Sequence, residues 1–83
     1  MAWATGVWGT LAPGVSATPA YSWGGADRGV QLALAHPFNP GARLDVTMQG
    51  KGQYTGGGFY YLLTFKNNGS LATAWALEGG GVV

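Results

Sequence analysis

Residues 42–49 alternate strictly: Ala42, Leu44, Val46 and Met48 point one way, and Arg43, Asp45, Thr47 and Gln49 the other. That period of two predicts a half-buried strand. Two later runs break the rule. Phe59–Lys66 and Leu71–Leu77 carry apolar residues on both faces over most of their length and flank Asn68-Gly69. An Asn-Gly pair between strand-like runs predicts a tight hairpin, because a type I′ turn needs positive φ at both central residues. In that register Lys66 faces Leu71, Thr64 faces Thr73, Leu62 faces Trp75 and Tyr60 faces Leu77. Phe59, Tyr61, Leu63 and Phe65 share the other side with Glu78, Ala76, Ala74 and Ala72. A strand half in water alternates apolar with polar. Both faces here therefore need cover, from another layer of the chain, a second copy or a ligand. A short helix over Leu71–Glu78, capped by Ser70 and ended by Gly79, is the rival reading of the second run.

Similar reasoning places the remaining elements. Trp3–Trp8, Val15–Tyr21 and Val30–Ala35 read as strands, with Pro19 confining the second to an edge or loop. Leu11-Ala12-Pro13-Gly14 is a turn, and Trp23–Gly29 and His36–Gly41 are loops. Gly50–Gln53 turns the chain, and Gly56-Gly57-Gly58 is a bulge, bend or loop before the hairpin. Gly79–Val83 is a mobile or docking tail. Six strands spaced by about ten residues, with Gly and Pro between them, predict an all-β fold: a small antiparallel sandwich or barrel in one domain over residues 1–83. No internal repeat is present.

Size sharpens the question of cover. An 83-residue chain without cysteine has no disulfide to hold it, and small scaffolds otherwise rely on a metal or on oligomerisation. One His and three acids make a protein-only metal cage unpromising, so no cofactor is expected and self-association becomes the expected staple. Charged residues are only 8% of the chain and the net charge is +1, with no Lys/Arg cluster, which argues against nucleic acid. Disorder is equally unpromising, because four Trp, four Tyr and three Phe are present. No run approaches the ~18 apolar residues of a membrane span. Met1–Gly6 lacks the positive n-region of a signal peptide, so synthesis without a cleavable leader is expected. Cytoplasmic synthesis, with or without release or incorporation into a particle, fits that reading.

Tyr61-Leu62-Leu63-Thr64-Phe65-Lys66-Asn67-Asn68-Gly69-Ser70 resembles the late hairpin of immunoglobulin-like modules in bacterial surface proteins, over about ten residues. Gly50-Lys51-Gly52-Gln53-Tyr54-Thr55-Gly56 is similar to a turn-and-strand stretch of small fucose-binding lectins. The cysteine pair of the first group and the tandem repeats of the second are both missing from this chain.

Catalytic chemistry finds little support. Ser16, Ser22, Ser70, His36 and Asp27 are present, but no nucleophile-elbow motif is. Asp45 lies beside Arg43, as in a surface ion pair. The Gly24-Gly25 loop lacks a following helix pattern and a phosphate-loop lysine. The chain reads as a non-enzyme. Trp23, Asp27 and Arg28 share one Gly-rich loop, and Asn39, Gln53 and Tyr54 stand in others. Aromatic faces under a sugar's C–H side, with planar polar groups on its hydroxyls, are what glycan recognition requires. The bland alternative has Trp23 as a lid on the core and Asp27 bonded within its own turn. The leading expectation is a lectin-like module that binds glycans at these six residues and self-associates. Its expected interface is Phe59, Tyr60, Tyr61, Leu62, Leu63, Phe65, Trp75 and Leu77. The alternative is a structural subunit of a larger assembly, such as a virion decoration or fibre protein, with no small-molecule site. A membrane-active subunit is a third reading, and no basic amphipathic helix supports it.

Overall fold

The computed structural model describes residues 2–81. The Val82-Val83 part of the expected tail lies outside them. The chain is all-β, with eight strands: β1 (Ala2–Ala4), β2 (Gly9–Leu11), β3 (Ser16–Ala17), β4 (Ala20–Tyr21), β5 (Gln31–Pro37), β6 (Leu44–Gln53), β7 (Phe59–Asn67) and β8 (Thr73–Gly81). They form two antiparallel sheets. In the first, β8 is central, with β5 on one side and β1 and β2 in succession on the other. In the second, β7 is central, with β6 on one side and β3 and β4 on the other. Eight strands stand where six were expected: Val15–Tyr21 is split into β3 and β4, and of the expected Trp3–Trp8 only Trp3 and Ala4 are strand, in β1, with β2 beginning after Trp8. Pro19, which has no N–H, separates β3 from β4, and its carbonyl still accepts from Leu63 N. Between β1 and β2, Thr5 Oγ1 accepts a hydrogen bond from Leu77 N at 2.9 Å and replaces a ladder carbonyl.

The expected hairpin through Asn68-Gly69 does not form. β7 and β8 are the central strands of different sheets and lie face to face. Among the described residues no non-glycine has positive φ, and Gly69 is not among the glycines that do, so a type I′ turn is absent. Asn67 makes the corner instead. Its fully buried amide donates to Leu11 O and Leu71 O, and its Oδ1 accepts from Gly69 N at 2.9 Å. Asn68 N and Ser70 N then bond Arg43 O and Gly41 O, which draws the corner onto the β5–β6 connection. Gly69 has no room for a side chain, since a Cβ would collide with the Gly41–Arg43 backbone. Leu71–Glu78 is not a helix; its strand begins at Thr73.

This topology explains the doubly apolar runs. The inner face of β7 presents Tyr61, Leu63 and Phe65 to Trp75 and Leu77 of β8. Leu63, Phe65 and Leu77 are wholly buried, and the rings of Phe65 and Trp75 meet at 4.9 Å. Leu11, Ala33 and Ala35 complete the core from the edges. Another layer of the same chain covers these side chains, so Tyr61, Leu63, Phe65, Trp75 and Leu77 are not available as the docking surface expected of them. Phe59, Tyr60 and Leu62 are half-buried.

A second correction lies in β6. Its register against β7 shifts between Val46 and Met48. Such a bulge leaves one residue unpaired and reverses the alternation beyond it. Val46 opposes Phe65, but Met48 opposes Thr64 and is 48% exposed. Gln49 and Lys51 thereby share the side of Leu63 and Tyr61.

Candidate functional site

One end of the sandwich gathers five of the six expected ligand residues. The loop after β4 meets the β6–β7 turn through two glycines. Gly25 has φ +87°, and a Cβ on Gly58 would press on Gly25 Cα. Phe59 N donates to Gly25 O at 2.9 Å, so Trp23, Asp27 and Arg28 stand beside Gln53 and Tyr54. Asn39 is not with them. It sits at the opposite end, where its backbone N bonds Thr73 Oγ1 and its side chain donates to Ala72 O. The connection carrying it runs from the far end of β5.

Trp23 is the lid of an aromatic cluster. Its ring meets Trp3, Tyr21 and Tyr61 edge to face at 5.4–5.8 Å, and the Arg28 guanidinium lies 5.6 Å from its centre. Tyr61 OH anchors the same loop, accepting from Arg28 N and donating to Gly29 O. Burial, and then the neighbouring Tyr61, push the Tyr21 phenol above its ordinary pKa. Asp27 is engaged as well. It accepts from Lys51 Nζ at 2.6 Å and from Gly29 N at 2.8 Å, and these bonds, Lys51 first, hold its carboxyl below the usual range. Lys51 is held above its usual value by Asp27 in turn. Its ammonium also lies 4.8 Å from the centre of the Phe59 ring. Both the lid and the turn-bonded carboxylate match the bland alternative of the sequence reading.

Two aromatic surfaces remain open at this end. The first is a cleft of about 380 Å³ between the broken edges, lined by Trp3, Trp8, Tyr21, Trp23, Thr5 and Ser22 among others. The second is a shelf formed by Tyr54 and Tyr60, with ring centres 4.8 Å apart. Tyr60 alternates with the buried Tyr61 and turns to the outer face of its sheet. There its ring lies across Gly52, where any Cβ would collide with it. Tyr54 is 52% exposed, and Gln53, which shares the face of Phe59 rather than that of Tyr60, donates through Nε2 to Gly57 O and steadies the turn.

Sequence reasoning missed Lys51, Tyr60 as a shelf residue, and the cleft side chains Trp3, Trp8 and Tyr21. The Gly50-Lys51-Gly52 spacing was a usable signal, because glycine inside a strand marks a place where another group approaches closely. Among the described residues no three of His, Cys, Asp or Glu come together as a metal cage requires, and no helix is long and apolar enough to cross a membrane. No family model, curated protein or solved structure matches this chain.

Proposed function

We propose that the chain is a non-enzymatic, carbohydrate-binding β-sandwich module whose sugar ring stacks on the Tyr54–Tyr60 shelf. The observation that carries this reading is the Tyr60 ring laid across Gly52 with Tyr54 beside it. A ring packed over a glycine of the neighbouring strand is held at little cost in side-chain entropy, and the two rings, tilted 42° to one another, offer π-surface to the C–H face of a pyranose. The two phenol hydroxyls supply hydrogen-bonding groups at the margin. Gln53, whose amide is bonded to Gly57 O, supports the shelf by bracing the turn, as do Trp23, Asp27 and Arg28 in the adjoining loop. A glycan array probed with the wild type and with Tyr54→Ala and Tyr60→Ala tests this. Binding by the wild type that falls about tenfold or more in either variant is expected. Undiminished binding by both variants overturns it.

A second reading, a structural subunit of a larger assembly with no small-molecule site, is favoured by a different surface. Leu32 and Leu34 on edge strand β5, and Val30 just before it, are each more than half exposed. Contiguous apolar side chains of that kind mark protein–protein contacts more often than monomer surfaces. Wild-type protein that binds no glycan but forms a polymer or shell supports this reading over the first.

A further inference from the structure

We infer that the cleft between the β1–β2 and β3–β4 edges binds a proline-rich peptide segment in polyproline II conformation, with an acidic residue of that segment beside Arg28. This site is separate from the sugar shelf, whose rings Tyr54 and Tyr60 do not line the cleft.

The walls are aromatic and already held in place. Trp3, Tyr21 and Trp23 pack on one another with ring centres 5.2–5.8 Å apart, and Tyr21 stacks on the anchored Tyr61. Trp8, 46% exposed, rests on Trp75 instead and lines the cleft apart from those three rings. Aromatic-lined grooves suit proline-rich chains, because a preformed polyproline II helix loses little freedom when its rings pack on π-faces. The cleft measures about 380 Å³. One turn of that helix is about three residues over about 9 Å, a short segment of the size such a cleft takes.

Hydrogen bonding selects the same ligand. Trp3 Nε1 is engaged by Gln31 Oε1, and the Thr5 hydroxyl both accepts from Leu77 N and donates to Gly6 O. Trp8 Nε1, Trp23 Nε1 and the hydroxyls of Tyr21 and Ser22 have no partner among the described residues, and those of Tyr21 and Trp23 are open rather than buried. Burial, and then Tyr61, raise the pKa of the Tyr21 phenol, which keeps it a donor. No carboxylate or side-chain amide lines the cleft. An indole N–H only donates, so donors are in surplus. A proline residue carries a carbonyl and no N–H, which matches that surplus. Sugar hydroxyls donate as well as accept and find fewer partners here. An added β-strand fits poorly too. The edge strands are runs of only two or three residues, and the Thr5 side chain replaces a ladder carbonyl.

Charge sets the flank of the ligand. None of the lining residues is charged. The Arg28 guanidinium lies 5.6 Å from the centre of the Trp23 ring and makes no ion pair among the described residues. A carboxylate on the peptide complements it.

Two synthetic oligoproline peptides, one ending in Glu and the other in Lys, would be titrated into isotopically labelled protein. The indole N–H resonances of Trp8 and Trp23, assigned from Trp8→Phe and Trp23→Phe proteins, should shift with the Glu peptide, while the amide of Gly52 under the shelf does not. Trp8→Ala, altered at an exposed position and checked by circular dichroism, should weaken binding about fivefold or more. Arg28→Gln should lower the affinity of the Glu peptide to that of the Lys peptide. No indole shift at the highest attainable peptide concentration, or undiminished binding by folded Trp8→Ala, overturns the site. Indole shifts produced by a glucose oligomer and by neither peptide assign the cleft to sugar and overturn it as well. Equal binding of the two peptides overturns the part given to Arg28.

Discussion

Phe65 and Trp75 meet edge to face across the two sheets, with ring centres 4.9 Å apart at an interplanar angle of 72°. They belong to consecutive strands that do not pair, and their contact ties the centre of one sheet to the centre of the other. Phe65→Ala or Trp75→Ala should each cost about 3–5 kcal/mol, which is most of the stability of a domain this small. Denaturant melts read the loss directly. A charge distinguishes the two faces of β7: Leu63→Glu should abolish folding, whereas Leu62→Lys on the outer face should leave a folded protein.

Asn67 is the most consequential polar side chain of the fold. Replacing it with Ala strips partners from Leu11 O and Leu71 O and from Gly69 N. Loss of about 2–3 kcal/mol is expected, since buried groups left unpaired cost more than the net value of the bonds they made. Asn68→Gly discriminates the observed corner from a type I′ hairpin. Position 68 has negative φ here and its side chain donates to Asp45 Oδ2 at 2.8 Å, so added chain freedom and the loss of that exposed bond should together destabilise by about 1 kcal/mol. A hairpin turn would have tolerated or welcomed it.

The all-β class and the sites of β5, β7 and the start of β6 were legible in the sequence, because alternation and turn chemistry are local; the turn expected at Gly50–Gln53 is instead the end of β6, Gly79–Gly81 of the expected tail is the end of β8, and β2 stands beyond the expected Trp3–Trp8 strand. The partner of each strand was not legible. Asn68-Gly69 carries a strong local preference, yet the buried Asn67 amide and the close approach of residues 41–43 outweigh it, and both depend on chain far away in sequence. The bulge at Thr47 was equally hidden: the alternation of residues 42–49 is perfect, and only the pairing with β7 reveals the extra residue. The loop carrying Trp23, Asp27 and Arg28 was found because glycine and aromatic residues cluster there. Asn39 was misplaced because a loop at either end of a strand looks alike until the strand's direction within the sheet is known.

The Asp27–Lys51 pair gives the fold a pH signature at both ends. The carboxyl of Asp27 is depressed in the folded state, so its contribution is present above the unfolded value of about 3.9 and is lost as pH falls through the folded value. Asp45, depressed by Asn68 and then Arg43, acts in the same direction. Lys51 is raised, so its contribution is complete below about pH 10.4 and is lost as pH rises through its folded value. Thermal melts across the range should show stability falling at both extremes. Lys51→Met should flatten both limbs, the alkaline one because its titrating group is gone and the acid one because Asp27 loses its main donor. Unchanged limbs in that variant would show that the pair contributes nothing to the fold.

Gly52 and Tyr60 provide the sharpest test of the shelf. A Cβ at position 52 would occupy the space of the Tyr60 ring, so Gly52→Ala must push that ring off the strand. In the wild-type background the substitution should destabilise the protein, disturb the ring resonances of Tyr54 and Tyr60, and weaken glycan binding as far as Tyr60→Ala does. In a Tyr60→Ala background the obstacle is gone. There the same substitution should stabilise by about 0.5–1 kcal/mol, because alanine loses less conformational freedom than glycine inside a strand. A change of sign between backgrounds is a direct measure of coupling between the two positions. Chemical denaturation of the four proteins in the cycle reads it. Equal effects in both backgrounds would mean that the ring does not rest on Gly52, and the stacking surface proposed for sugar would be lost with it.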